Sequence, residues 1–172
     1  MKMHPLILAT IAAASLAACA SMSGPSATAS LRPTTGSSVT GTVNFVQSGS
    51  AVMVSGEVRG LRPNVEVGFH VHEKGDCSSG DGMSTGGHFN PEGKPHGQHG
   101  QAAHHAGDLP SLKADAGGVA SFNFQSSTIR VGSGANNIVG RGLIVHRDPD
   151  DYKTQPTGNA GPRLACAVIA AS

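Results

Sequence analysis

Of the nine histidines in this 172-residue chain, seven fall between Gly68 and Asp108. They come as His70-Val-His72, then Gly-Gly-His88-Phe-Asn-Pro, then Lys-Pro-His96-Gly-Gln-His99, and last His104-His105-Ala-Gly-Asp108. Imidazoles at this density, with few aromatic or charged neighbours, are poorly explained as packing or as a solvated face. They read as a metal site. In Val65-Glu-Val-Gly-Phe-His-Val-His72 the apolar residues Val65, Val67, Phe69 and Val71 alternate with Glu66, Gly68, His70 and His72, which predicts a strand. The valines and Phe69 would face a core, leaving both imidazoles on the opposite side. Two rings about 7 Å apart along one strand face can converge on one ion, on the outer wall of a sheet and beneath a loop. His88, His96, His105 and Asp108 follow in a Gly/Pro-rich loop with no hydrophobic period. Three imidazoles and a carboxylate complete a tetrahedral zinc set, and a site closed by four protein ligands has no position for substrate, so that zinc would be structural. The spacing therefore asks for more than one metal.

The elements that must carry these side chains are strands. One Tyr, five Phe, no Trp, 24 Gly and short Val/Ile/Thr runs between turn signals favour an all-β sandwich or barrel. Val39–Phe45 and Ala51–Val58 read as a hairpin across Gln47–Ser50, Leu61–Asn64 as a turn before the His-x-His strand, and Val119–Phe124, Thr128–Val131, Gly142–His146 and Leu164–Ile169 as further strands. A first strand is expected near Thr28–Thr34, but Pro33 cannot donate to a ladder, which marks it as an edge. Twelve Lys/Arg against eleven Asp/Glu give a formal charge of +1, and no basic run offers a footprint for nucleic acid. After an export signal the length suffices for one domain with one core.

That signal is read at 1–18. Lys2 precedes an apolar run from Leu6 to Ala18 that is too short for a permanent membrane span. Leu16-Ala-Ala-Cys19 resembles a bacterial lipobox, in which Cys19 would be lipidated; ordinary cleavage after Ala18-Cys19-Ala20 is the alternative. Ala20 suits an outer-membrane lipoprotein, so the expectation is export to the periplasm with membrane contact only through an N-terminal lipid anchor. Residues 19–27 would form a flexible tether and 28–172 the domain.

Taken together, Gly-Phe-His70-Val-His72-Glu, Gly-His88-Phe-Asn-Pro, His105-Ala-Gly-Asp108-Leu-Pro, Gly-Arg-Gly-Leu-Ile-Val-His146 and Gly-Asn-Ala-Gly-Pro-Arg163-Leu-Ala-Cys166 resemble the copper,zinc superoxide dismutases, in one order from about Ser38 to Ile169. The resemblance implies an eight-stranded antiparallel Greek-key β-barrel with long loops carrying the site. It implies dismutation of superoxide to dioxygen and hydrogen peroxide, with copper alternating between Cu(II) and Cu(I) and one copper and one zinc ion per subunit. His146 shares the strand parity of His70 and His72, and with His88 these make four nitrogen ligands of a kind that suits copper. By resemblance His88 is the bridge between copper and zinc, and it joins Arg163, the anion-docking cation, as a catalytic residue. Asp150 matches the carboxylate that bonds His70 and His96, fixing both rings. Spacing against the family pattern selects His105 over His104, leaving His99 and His104 as solvated loop residues or metal recruiters.

With Cys19 assigned to the signal, Cys77 and Cys166 remain, and an oxidising compartment makes a disulfide between them the expectation over two buried free thiols. The loop Asp151–Thr157 lacks the acidic pair of many eukaryotic members and has Pro156 where those carry a lysine, leaving Lys153 as the nearest steering charge. Members of the family pair through different surfaces and no interface motif is legible, so a homodimer is carried as an expectation without a surface. Two other readings compete: a copper or zinc buffer, which has no need of Arg163 or of a ligand as distant as His146, and a copper-delivery relative, which would have lost copper ligands that are all present here.

Overall fold

The computed structural model describes residues 24–172; the proposed signal, Cys19 and most of the tether lie outside them. No helix among the described residues is long and apolar enough to cross a membrane. Ten strands build the fold: β1 (Ser26–Pro33), β2 (Thr40–Ser48), β3 (Ala51–Arg59), β4 (Glu66–Val67), β5 (Phe69–His72), β6 (Leu112–Lys113), β7 (Ala120–Ser126), β8 (Gly142–His146), β9 (Arg163–Val168) and β10 (Ala170–Ala171). One 3-10 turn spans Met83–Thr85. Eight strands form one antiparallel sheet in the order β5-β8-β9-β1-β2-β3-β7, with β10 on β1, while β4 and β6 pair separately.

Alternation decides which side of each strand is buried. Ala27, Ala29 and Leu31 of β1, Val43 and Phe45 of β2, and Val52, Val54 and Val58 of β3 enter a common core with Phe69, Val71, Leu143 and Val145. Their neighbours along each strand point outward, the period-2 pattern of a sheet with one buried face. The sheet curls so that the strands at its two ends share one core, with the rings of Phe69 in β5 and Phe122 in β7 5.5 Å apart, centroid to centroid. The all-β, curled antiparallel architecture expected from sequence is the one observed.

Several elements differ from the sequence expectation. β1 is not an edge: it bonds β2 along Ser26–Leu31, β10 at Ala27 and Thr28, and β9 at Arg32 and Pro33. Pro33 is tolerated because it closes the strand, two residues past the end of the β2 ladder. The strand also starts at Ser26, so its first two residues belong to the sheet rather than the tether. The predicted strand Thr128–Val131 is an irregular segment with one isolated bridge, Arg130 to Asn137. Ile129 and Val131 are buried there all the same. A short apolar run records burial without fixing the backbone.

The strand expected over Val65–His72 breaks at Gly68, whose N–H donates to Asp148 O (2.9 Å) and whose carbonyl accepts from His146 N (2.9 Å). A side chain there would collide with Ala160 Cβ at 2.8 Å. β5 therefore stands alone beside β8, with His70 opposite Ile144 and His72 opposite Gly142.

Candidate metal centre

β5 and β8 face the core on one side and the histidines on the other. His70, His72 and His146 nevertheless have almost no exposure, because loops cover that outer wall. The cover is built from backbone bonding to the free edge of β5: Val71 N donates to Gly107 O, Phe89 N donates to Val71 O, and Gly107 N donates to Phe89 O, all within 2.8–2.9 Å. Isolated bridges between His72 and His88 and between His70 and Asp108 continue this pairing. Gly107 is required for the approach, since a Cβ would lie 2.3 Å from Val71 O. An edge that would otherwise be exposed thus brings the loop histidines against the strand histidines.

Two clusters result. His70, His72, His88 and His146 form one, and His88, His96, His105 and Asp108 the other; within each, one donor atom per residue lies within 4.8 Å of the rest, and all seven residues are buried. The hydrogen bonds say which atoms are free. His70 Nε2 bonds Asp150 Oδ2 (2.7 Å), His72 Nδ1 bonds Gly86 O (2.9 Å), His146 Nδ1 bonds Gly161 O (3.1 Å), and His96 Nε2 bonds Asp150 Oδ1 (2.9 Å). The opposite nitrogens of these rings, His70 Nδ1, His72 Nε2, His146 Nε2 and His96 Nδ1, are buried without a hydrogen-bond partner, as are His88 Nε2 and His105 Nδ1. Six buried polar atoms left bare would be costly in a molecule this small. Neutral imidazole lone pairs sharing two small spaces are explained by two cations.

His88 belongs to both clusters. Its Nδ1 bonds Asp108 Oδ1 (2.8 Å), a member of the second, and its Nε2 is buried without a hydrogen-bond partner. Its ring lies 4.0 Å from that of His70 and 5.5 Å from that of His105, centroid to centroid. Asp108 Oδ2 accepts from Gly97 N and His105 N, which orients the carboxylate toward His96 Nδ1 at 3.1 Å and His105 Nδ1 at 3.3 Å.

The protonation states suit ligands. Burial pushes His72 and His146 well below the ordinary imidazole range, with the facing histidines and Arg163 adding to it. Burial, then the adjacent His70, takes His88 down to about 3 against the pull of Asp108. His96 goes the other way: burial would lower it, but the carboxylates of Asp108 and Asp150 on either side of the ring raise it to about 9. Burial also works against ionising Asp108 and Asp150, yet bonds from their histidine partners hold both well below the usual carboxylate range. A cation arriving at His96 would therefore take the place of a proton.

Arg163 opens β9 at the rim. Its Nη1 donates to Gly82 O (2.6 Å) and Thr85 Oγ1 (2.7 Å), and its Nη2 to Gly86 O (2.7 Å). Cys77 and Cys166 are joined by a disulfide that ties the loop carrying those acceptors to β9. The seven proposed ligands, Asp150 and Arg163 are thus in or beside one centre. His99 and His104 stand outside both clusters; each Nδ1 bonds a loop carbonyl, Asp108 O and His105 O respectively. Sequence reasoning did not find Thr85 or Gln155, and it had Gly158 only as the first residue of the motif around Arg163, without its place against Asp150 and His96. Only the glycine-rich stretch before His88 hinted that the backbone comes close there.

Comparison with known proteins bears on this arrangement. The copper/zinc superoxide dismutase (SODC) family profile matches residues 39–169. The chain belongs to that family. It is 44% identical over 137 residues to a superoxide dismutase [Cu-Zn] of Paramecium bursaria Chlorella virus 1, covering 76% of this chain and 72% of that protein. It is 38% identical over 135 residues to superoxide dismutase [Cu-Zn] 2 of Aquifex aeolicus (strain VF5), covering 76% and 79%. Among solved structures, the crystal structure of the clock protein EA4 superposes with a TM-score of 0.77 at 41% identity, over 84% of this chain and 93% of that one. Family members are oxidoreductases that use copper and zinc, and the two clusters here fit that pair of metals.

Proposed function

We propose that His70, His72, His88 and His146 hold copper, that His88, His96, His105 and Asp108 hold zinc, and that this chain dismutes superoxide in the bacterial periplasm. The observation that carries the assignment is His88, the residue that both clusters share. The all-nitrogen set suits copper by the preference of Cu(II) for imidazole, and the set closed by a carboxylate suits a zinc without an open position. When bound, copper supplies one-electron redox chemistry and zinc supplies charge without redox change.

The protein's own groups do the rest. Arg163 is a permanent cation with a planar fork of donors, fit to receive a small anion at the rim. His88 would hold a proton at Nε2 while Nδ1 stays beside Asp108, and would give that proton to the peroxide formed when superoxide takes up one more electron. Asp150 grips His70 and His96 at once, so the two clusters share one orienting carboxylate. Loops bury every proposed ligand and leave Arg163 partly exposed at the rim.

The test is metal content and superoxide consumption in His88→Ala. Both metals should weaken and turnover should collapse; retention of both metals would overturn the shared ring. Export and anchoring rest on the sequence of residues 1–19. Palmitate labelling of the wild type that is lost in Cys19→Ser, with the wild type in the outer-membrane fraction, would support them; an unlabelled periplasmic wild type would leave export without the anchor.

A further inference from the structure

The three protein acceptors of Arg163 are not alike. Two are backbone carbonyls, Gly82 O and Gly86 O, and the third is the hydroxyl of Thr85. Thr85 is fully buried at the end of the 3-10 turn, and its Oγ1 donates to Gly82 O at 2.9 Å. That single proton being spent, the hydroxyl meets the guanidinium only as an acceptor. Nη1 has two protons, and Gly82 O and Thr85 Oγ1 take both. Nη2 gives one to Gly86 O. What remains is Nε–H and one Nη2–H, neither with a partner among the described residues, and Nε and Nη2 border one edge of the planar group.

We propose that Thr85 is a positioning residue for the anion site: its hydroxyl saturates Nη1 and locks the guanidinium so that the Nε/Nη2 edge is the only bidentate face offered to superoxide. The geometry requires each part of the side chain. The hydroxyl is turned by Gly82 O, and the methyl group is packed where Gly142 leaves room, since a Cβ at Gly142 would lie 2.8 Å from Thr85 Cγ2. Without the hydroxyl, Nη1 would carry an unsatisfied proton, and the fork could rotate to offer its other edge.

This inference rests on Arg163 being the docking cation, so three variants are needed: Thr85→Val, which keeps the shape and removes the acceptor, Thr85→Ser, which keeps the acceptor, and Arg163→Ala. Each is assayed at constant ionic strength for metal content, kcat/KM for superoxide and inhibition by inorganic phosphate as an oxyanion probe. Thr85→Val should keep both metals, lose roughly tenfold in kcat/KM, as expected for one charge-assisted hydrogen bond, and weaken phosphate inhibition in parallel. Thr85→Ser should recover most of both. Wild-type kcat/KM and phosphate inhibition in Thr85→Val, or a Thr85→Ser variant as impaired as Thr85→Val, would overturn the positioning role. Metal loss in Thr85→Val that accounts for its lower turnover would assign Thr85 to the scaffold and overturn it too. If Arg163→Ala itself keeps wild-type turnover and phosphate inhibition, the docking reading fails and takes this inference with it.

Discussion

At the scale of single residues, what matters is which nitrogen of each ring is committed. His72 and His146 give Nδ1 to backbone carbonyls and keep Nε2 bare, whereas His70 and His96 give Nε2 to Asp150 and keep Nδ1 bare. Asp150→Asn should therefore disturb both clusters, with metal affinity falling roughly 10- to 100-fold as for other orienting partners of metal ligands; competition with a chromogenic chelator measures it. Asp108→Ala should release mainly zinc, since Asp108 belongs to one cluster only, and metal analysis of the purified variant checks the selectivity. Arg163→Ala should retain both metals and lose most of its turnover, read from superoxide consumption per copper. These identities were legible in the sequence because chemistry fixes them: seven donors and an arginine at set spacings can be read without knowing the backbone. The tautomers were not, because Gly86 O and Gly161 O are contributed by the path of the chain.

At the scale of elements, the centre depends on loops laid against a strand and against each other. Gln155 reaches across from the loop after β8, accepting from His96 N at 2.8 Å and donating to His96 O at 2.9 Å, so that one side chain imitates a strand partner. Gly158 lies beneath it with φ +66°, and a Cβ there would fall 1.9 Å from Asp150 Oδ1 and 2.5 Å from His96 Nε2. Gly158→Ala should push Asp150 off His96, lowering zinc occupancy without touching a ligand. A variant with full zinc content would show that the loop can shift at little cost. Sequence reading placed the main strands but missed the break at Gly68 and the central position of β1. Alternation along Val65–His72 runs unbroken through the point where the chain changes partners, and Pro33 marks only where a ladder stops. Pairing over long sequence distances leaves no local mark on either segment.

At the scale of the molecule, one sheet closed on its own core supports a centre held on its outside by loops. The Cys77–Cys166 bond spans a separation of 89 residues and joins the loop bearing the Arg163 acceptors to β9. Removing it should cost about 2–4 kcal/mol, mainly by freeing the unfolded chain. Urea unfolding of Cys77→Ser/Cys166→Ser measures the loss, and turnover should fall with it if the loop drifts. Stripping the metals should also lower Tm, because six ring nitrogens would be left buried and bare. Calorimetry before and after chelation reads the change, and added zinc should restore part of it.

The Gly86 carbonyl accepts from His72 Nδ1 and from Arg163 Nη2 at once. Its φ of 73° and ψ of −149° are open to glycine alone, and a Cβ would strike the Glu73 carboxylate. Any drift of that one peptide plane would displace a proposed copper ligand and the proposed docking cation in the same stroke, so an engineer who moved it could not shift one side chain without the other.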